Sequence, residues 1–193
     1  FSITSNCRLL GGDDFFGNPL KKTYYCTISN REFYIYIPSS YIEDNYEEYP
    51  LLFSLHGYTS LALWNLSYTG FQSIADEEKF IIVYPQGLIL NSTGETHWNV
   101  GGWTIGSKSN DIDFISDLID WTNTKYKIDL SRIYSVGMSN GGFMSYNLAC
   151  NLGDRIAAIG SVTGSMTPEI MESCKPNHPT PVIQIHGKQD FTV

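Results

Sequence analysis

The sequence predicts an α/β fold with a mostly parallel sheet, helices on both faces and an N-terminal antiparallel hairpin. Two observations lead to this prediction. Short apolar runs that end at Gly or Pro recur along the chain, which is typical of strands buried on both faces. Segments with helical spacing lie between these runs, and this alternation of strand and helix favours a parallel sheet.

Length and composition fit one domain of ordinary size. The 193 residues are 42% hydrophobic and only 17% charged, so they can bury a substantial core. The net charge of −8 argues against nucleic acid or an anionic membrane surface as the main partner. The apolar runs are far shorter than the roughly 20 residues of a membrane span, so no membrane partner is expected.

The elements follow one another in a simple order. Residues 1–22, rich in Gly, Asp and Asn, are predicted to be irregular, and residues 23–193 to form the domain. The β-rich runs 23–28 and 32–38 flank a turn-like "SNR", which predicts the hairpin. The later strands are predicted at 50–57, 79–87, 132–137, 156–164 and 181–187, and the helices at 67–78, 111–126 and 141–152. Asn110 or Asp111 can cap the second of these helices.

The four cysteines favour disulfides over metal binding. Cys7, Cys26, Cys150 and Cys174 show no CxxC spacing, so no zinc site or other metal centre is expected. Four cysteines allow three pairings. Two N-x-[ST] tripeptides begin at Asn65 and Asn91 and are compatible with export. The chain starts at Phe1 without a leader, so we expect a mature secreted or periplasmic protein.

The stretch "YSVGMSNGGFMSY" carries the strongest chemical signal. Gly137-Met138-Ser139-Asn140-Gly141 satisfies G-x-S-x-G between a predicted strand and a predicted helix. A serine nucleophile must stand on such a sharp turn, and Gly137 and Gly141 lie where a Cβ would clash. A plain Gly/Ser turn is the weaker interpretation, and a phosphate loop lacks its G-x-x-x-x-G-K-[ST] motif.

The partners of Ser139 are predicted from their positions. Asp190 follows the strand at 181–187, at the carboxyl end where open α/β sheets place their sites. The backbone N–H groups of Tyr58, after "LHG", and of Asn140 can form an oxyanion hole. The activating base is missing, since none of His56, His97, His178 and His186 follows Asp190. His56 fits a structural or oxyanion-loop role, and His97 a loop residue.

Several blocks together resemble secreted α/β-hydrolases, specifically the branch of polyhydroxybutyrate depolymerases and feruloyl or acetylxylan esterases. They are "LLFSLHGYTS", "FIIVYPQG", "HWNVGGW", "NDIDFISDLIDWTNTKYKIDLSRIYSVGMSNGGFMSYNLAC", "RIAAIGSVTG" and "PVIQIHGKQD". The resemblance spans roughly residues 30–193. It implies an α/β-hydrolase fold that lacks its last strand and helix, because the family places its catalytic His after one further strand.

The resemblance also implies roles for particular residues. Ser139 is implied as nucleophile, Asp190 as acid, and Tyr58 with Asn140 as oxyanion hole. Cys150 is implied to pair with Cys174, and Cys7 with Cys26. Where the family has a double aspartate, this chain has Asn110-Asp111, interpreted as a capping detail.

The function expected from these features is hydrolysis of a small or polymeric carboxylic ester by a serine esterase without a cofactor. Trp98 and Trp103, with Tyr58 and Trp64, lie in loops that could form an aromatic rim for a phenolic acyl group or polyester. The alternatives are a prolyl-oligopeptidase-type peptidase and a hydrolase-like domain that binds without catalysis. The 193 residues alone are expected to be inactive, with the missing part continuing the chain or forming a separate, nicked polypeptide.

Overall fold

The computed structural model describes residues 5–43 and 46–193, which form an eight-stranded sheet, a small hairpin and five α-helices. The strands are β1 Ser5–Leu9, β2 Thr23–Ile28, β3 Arg31–Tyr36, β4 Tyr49–Leu55, β5 Ile81–Pro85, β6 Leu88–Leu90, β7 Glu95–His97, β8 Ile128–Met138, β9 Ala158–Val162 and β10 Val182–Ile185. The helices are α1 Ala62–Thr69, α2 Phe71–Glu78, α3 Asp111–Lys125, α4 Asn140–Asn151 and α5 Pro168–Ser173, and a 3₁₀ turn spans Gly102–Thr104.

The sheet is mostly parallel, as predicted. Its order is β1-β2-β3-β5-β4-β8-β9-β10, with parallel pairing from β5 to β10 and antiparallel pairing among the first three strands and between β3 and β5. The predicted irregular segment at the N-terminus is wrong in part, because β1 pairs with β2 along its whole length. Residues 1–4 of that segment lie outside the described residues.

Helices cover both faces of the sheet, and the side chains of β5 alternate between the two cores that the helices enclose. Ile81 and Val83 belong to the large core beneath α3 and α4, whereas Ile82 and Tyr84 belong to a smaller core beneath α1 and α2. Because successive side chains of a strand point to opposite faces, a strand between two helical layers must be apolar at every position.

Two predicted elements differ from the structure. The helix expected at 67–78 is two helices, since Gly70 adopts the left-handed conformation (φ 63°) and redirects the chain between α1 and α2. The strand expected at 181–187 forms as β10, but all four of its residues are exposed rather than buried. β10 is the edge strand next to β9, and an apolar groove of about 430 Å³ lies across its end of the sheet.

Two disulfides fasten peripheral elements to this frame. Cys7 and Cys26 face each other across β1 and β2, with 4.2 Å between their Cα atoms, and Cys150 at the end of α4 is bonded to Cys174 after α5. These are the pairs that the resemblance implies. Among residues 5–43 and 46–193, no helix is both long and apolar enough to cross a membrane.

Candidate active site

Ser139 stands on a strained turn between β8 and α4. Its backbone has φ 52° and ψ −123°, a conformation that side-chain-bearing residues rarely adopt and that costs about 1–3 kcal/mol. The Ser139 N–H donates to Val162 O at 2.8 Å, so β9 holds the turn in place. Strain that the surrounding structure maintains in this way is characteristic of functional turns.

The glycines around Ser139 are required by close backbone approach. A Cβ on Gly137 would lie 2.3 Å from the carbonyl oxygen of Gly141, and a Cβ on Gly141 would lie 2.3 Å from Leu55 O. Both distances are far below any contact that a real Cβ makes. The first turn of α4 is therefore pressed against the ends of β4 and β8, which is the packing predicted from the motif.

The loop after β4 lies beside the serine. A Cβ on Gly57 would be 3.8 Å from Ser139 Cβ and 3.5 Å from Met138 O, so the peptide leading to Tyr58 borders the Ser139 turn. The Tyr58 hydroxyl donates to Thr93 Oγ1 at 2.7 Å, and Thr59 N–H donates to Thr96 O at 2.9 Å. The β6–β7 hairpin thus supports the loop from the side.

His56 is a buried, neutral residue that fixes the same loop. Its Nδ1 lies 2.8 Å from Gly57 O and its Nε2 accepts from Gly87 N–H at 2.9 Å, which places the ring proton on Nδ1. Burial lowers the His56 pKa to about 4, although hydrogen bonding to Gly57 opposes this shift. Both ring nitrogens are engaged, as expected of a structural histidine.

The side chain of Asn140 clamps a neighbouring loop. Its Oδ1 accepts from Trp98 N–H at 2.7 Å and its Nδ2 donates to Trp98 O at 3.1 Å. The Trp98 indole N–H in turn donates to His56 O at 2.9 Å. Sequence reasoning considered only the backbone of Asn140 and missed this clamp.

Trp98 is not part of an aromatic rim. It is fully buried, and its ring lies 4.9 Å from that of His56. The prediction that it faces substrate is therefore wrong, because its indole fills the space between the two loops. Trp103 is 46% exposed and packs edge-on against Phe143, on the first turn of α4.

Asp190 lies two strands from the serine at the same edge of the sheet. Met138 pairs with Val162, which pairs with Ile185, so β8 and β10 end at the same level on either side of β9, about 10 Å apart. Asp190 Oδ1 accepts from the N–H groups of Thr192 and Val193, and the bond from Thr192 is the main cause that lowers the Asp190 pKa. The carboxylate is thereby kept charged.

The remaining histidines have partners or positions away from Ser139. His97 bonds Leu88 O through Nδ1 and Ser107 Oγ through Nε2. His186 faces Gln184 with Nδ1 at 3.1 Å and Asp190 with Nε2 at 3.6 Å. His178 precedes β10 and so lies at the amino end of that strand, opposite the serine.

A buried ion pair between β3 and α3 holds the loop that carries Trp98. Arg31 donates to Asp111 at 2.8 Å, with the two side chains 10% and 1% exposed, and also to Gln86 O. Asp111 Oδ2 accepts from Asn99 N–H, next to Trp98. Asn110 is the helix cap, because its side chain accepts from Asp113 N–H. The interpretation of Asn110-Asp111 as a capping detail is therefore correct for Asn110 but misses the buried ion pair of Asp111.

Comparison with known proteins finds similar chains among ester hydrolases. Residues 107–193 match the family model described as phospholipase/carboxylesterase. A bifunctional acetylxylan esterase/xylanase of Neocallimastix patriciarum is 31% identical over 162 residues, which are 84% of this chain and 22% of the relative. Feruloyl esterase B of Piromyces equi is 36% identical over 98 residues, 50% of this chain and 18% of the relative.

Two further matches agree with these. Poly(3-hydroxyalkanoate) depolymerase C of Paucimonas lemoignei is 26% identical over 172 residues, covering 75% of this chain and 41% of the depolymerase. The structure of an acetyl xylan esterase from Aspergillus awamori superposes with a TM-score of 0.57 at 20% identity, covering 84% of this chain and 53% of that one. The chain thus spans about a fifth of the length of the Neocallimastix and Piromyces esterases and less than half of the Paucimonas depolymerase.

Proposed function

We propose that this chain, which has an α/β-hydrolase fold and is similar to feruloyl and acetylxylan esterases, hydrolyses carboxylic esters through an acyl-enzyme on Ser139. The observation that carries the proposal is the strained Ser139 turn, held between β8, β9 and α4 beside the Gly57–Tyr58 loop. A serine on a strained turn between a strand and a helix is the arrangement that a nucleophile needs. This disfavours the non-catalytic alternative.

In the proposed reaction, Ser139 Oγ attacks the acyl carbon while a base takes its proton. The N–H groups of Tyr58 and Asn140 stabilise the oxyanion of the tetrahedral intermediate, and the alcohol leaves with the proton. Water then hydrolyses the acyl-enzyme by the same route. Asp190 orients the base and stabilises its positive charge.

We propose that the base is a histidine outside the 193 residues, on a segment that follows β10 or on a separate remainder chain. The ring nitrogens of His56, His97 and His186 are engaged by other groups. The exposed apolar face of β10, where Ile183 is 69% exposed, supports a further segment that packs there. The 193 residues alone would then retain only residual activity.

The proposed substrates are acetyl, feruloyl or polyester carboxylic esters, the classes named in the relatives. Trp103, half-exposed on the 3₁₀ turn Gly102–Thr104 and packed against Phe143 of α4, supplies an apolar surface suited to a phenolic acyl group or a polymer chain. Peptide hydrolysis of the prolyl-oligopeptidase type is the competing activity.

We also propose that the protein is exported. It contains two disulfides, and disulfides form and persist in oxidising compartments.

The experiment compares the intact protein with its Ser139→Ala variant on p-nitrophenyl acetate, methyl ferulate and a prolyl peptide anilide. We expect hydrolysis of an ester, a loss of at least about 1000-fold in kcat/KM for the variant, and no peptide cleavage. Equal rates for variant and parent would exclude the serine mechanism. Cleavage of the peptide in preference to both esters would favour the peptidase.

A further inference from the structure

The two N-x-[ST] tripeptides of the chain have opposite environments. Asn65 lies within α1 and is 1% exposed, and its amide nitrogen donates to Ser54 O and Ser54 Oγ, both at 3.0 Å. Asn91 lies at the tip of the β6–β7 hairpin, where residues 91–95 are all exposed or nearly so. Only one of the two amides can therefore carry a bulky group in the folded protein.

The turn that carries Asn91 is well formed. Thr93 N–H and Gly94 N–H both donate to Leu90 O, and Gly94 has φ 78°, which turns the chain back into β7. No side-chain hydrogen bond of Asn91 is among the contacts of the described residues, whereas the Thr93 hydroxyl faces Tyr58. A large substituent on Asn91 can point into solvent without displacing core atoms.

We propose that Asn91 is an N-glycosylation site and that Asn65 is not. In this modification Asn91 Nδ2 forms a bond to C1 of the first sugar of a lipid-pyrophosphate-linked oligosaccharide. The C1–O bond to the pyrophosphate breaks, and the amide nitrogen loses one proton. The proposal rests on the proposed export through a glycosylating compartment and not on the proposed ester hydrolysis.

The same geometry explains why Asn65 is excluded. A sugar on Asn65 Nδ2 would occupy the space of Ser54 on β4, so a chain glycosylated there could not pack α1 against the sheet. Molecules that reach the folded, secreted state must therefore carry an unmodified Asn65. The glycan on Asn91 would stand on the hairpin that supports the Tyr58 loop, at the flank of the candidate active site.

The test is secretion of the intact protein from a yeast host, followed by intact mass and peptide mapping before and after peptide N-glycosidase. Among the peptides of these 193 residues, we expect one glycan, on the peptide that contains Asn91, and conversion of Asn91 to Asp by the glycosidase. Asn91→Gln should remove the glycan. Ser67→Ala destroys the other tripeptide but keeps the Asn65 bonds, so it should leave the glycan mass unchanged.

Three outcomes overturn the proposal: a secreted parent without glycan, a glycan on Asn65, or an unaltered glycan mass in Asn91→Gln. A cooperative thermal unfolding transition at the parent's Tm, within a few degrees, shows that each variant is folded. This control is independent of ester hydrolysis, so failure of the glycosylation proposal and failure of the proposed function are distinguishable.

Discussion

The Asn140 side chain satisfies both backbone polar groups of Trp98, at 2.7 and 3.1 Å, and so joins the serine turn to the loop that carries His56. The residue after the proposed nucleophile thus offers two separate groups, its backbone N–H and its amide side chain. Its N–H is a candidate oxyanion donor, and its amide side chain fixes the position of the loop that carries Trp98.

Asn140→Ala should separate these functions. The backbone N–H remains, but two buried groups of Trp98 lose their partner, and each such loss costs about 1–3 kcal/mol. We expect the free energy of unfolding to fall by about 2–4 kcal/mol, measured by urea denaturation. Asn151→Ala, an exposed site on the same helix, is the control and should change stability by less than about 1 kcal/mol. Equal, small effects of both substitutions would contradict the clamp.

The positive φ of Ser139 predicts a conflict between stability and activity. Ser139→Gly should abolish hydrolysis and stabilise the fold relative to Ser139→Ala by about 1 kcal/mol, since glycine tolerates this conformation at some cost in chain entropy. Thermal unfolding of the two inactive variants measures the difference. A Gly variant less stable than the Ala variant would show that the turn is not strained.

His56 predicts a pH-dependent loss of stability. Its pKa is about 4 in the folded protein and near 6.5 when unfolded, so the unfolded chain binds an extra proton between these values. Stability from this residue is complete above pH 6.5 and falls as the pH decreases, by about 2–3 kcal/mol at pH 4.5.

The measurement compares unfolding free energies at pH 7 and 4.5 in the parent, in His56→Gln and in His178→Gln. The difference in unfolding free energy between the two pH values should shrink by about 2–3 kcal/mol in His56→Gln and stay unchanged in His178→Gln, whose side chain is exposed. The same pH dependence in parent and His56→Gln would rule out a buried neutral histidine.

Asp111 should be important for stability although it lies outside the reacting groups. Asp111→Ala leaves the Arg31 guanidinium buried without its carboxylate, which costs about 3–5 kcal/mol. The double variant Arg31→Met/Asp111→Leu should be more stable than Asp111→Ala, because no unpaired charge remains. Additive losses in a double-mutant cycle, followed by chemical denaturation, would argue against this coupling.

Local sequence patterns predicted those parts of the site that depend on backbone geometry. Gly137 and Gly141 mark a close approach that only glycine permits, and the apolar run before Asp190 places that residue at the sheet edge. The patterns could not predict environments set by distant residues. Trp98 lies in a loop yet is buried, because Asn140 and His56 surround it from positions about 40 residues away on either side.

The same distinction applies to charge and exposure. Asn110 and Asp111 are equal candidates for a cap by type, and only the approach of Arg31 from β3 assigns Asp111 to the interior. β10 has the apolar composition of an inner strand, but burial depends on what packs over it. Neither fact is encoded within the segment itself.

Covalent labelling measures whether Ser139 is activated as a nucleophile in the folded protein. The intact protein is treated with a fluorophosphonate, which reacts only with activated serines, and the adduct is mapped by peptide mass spectrometry. We expect one adduct, on the peptide that contains Ser139, and none in Ser139→Ala. An unlabelled Ser139, or an adduct that persists in the Ser139→Ala variant, would contradict it.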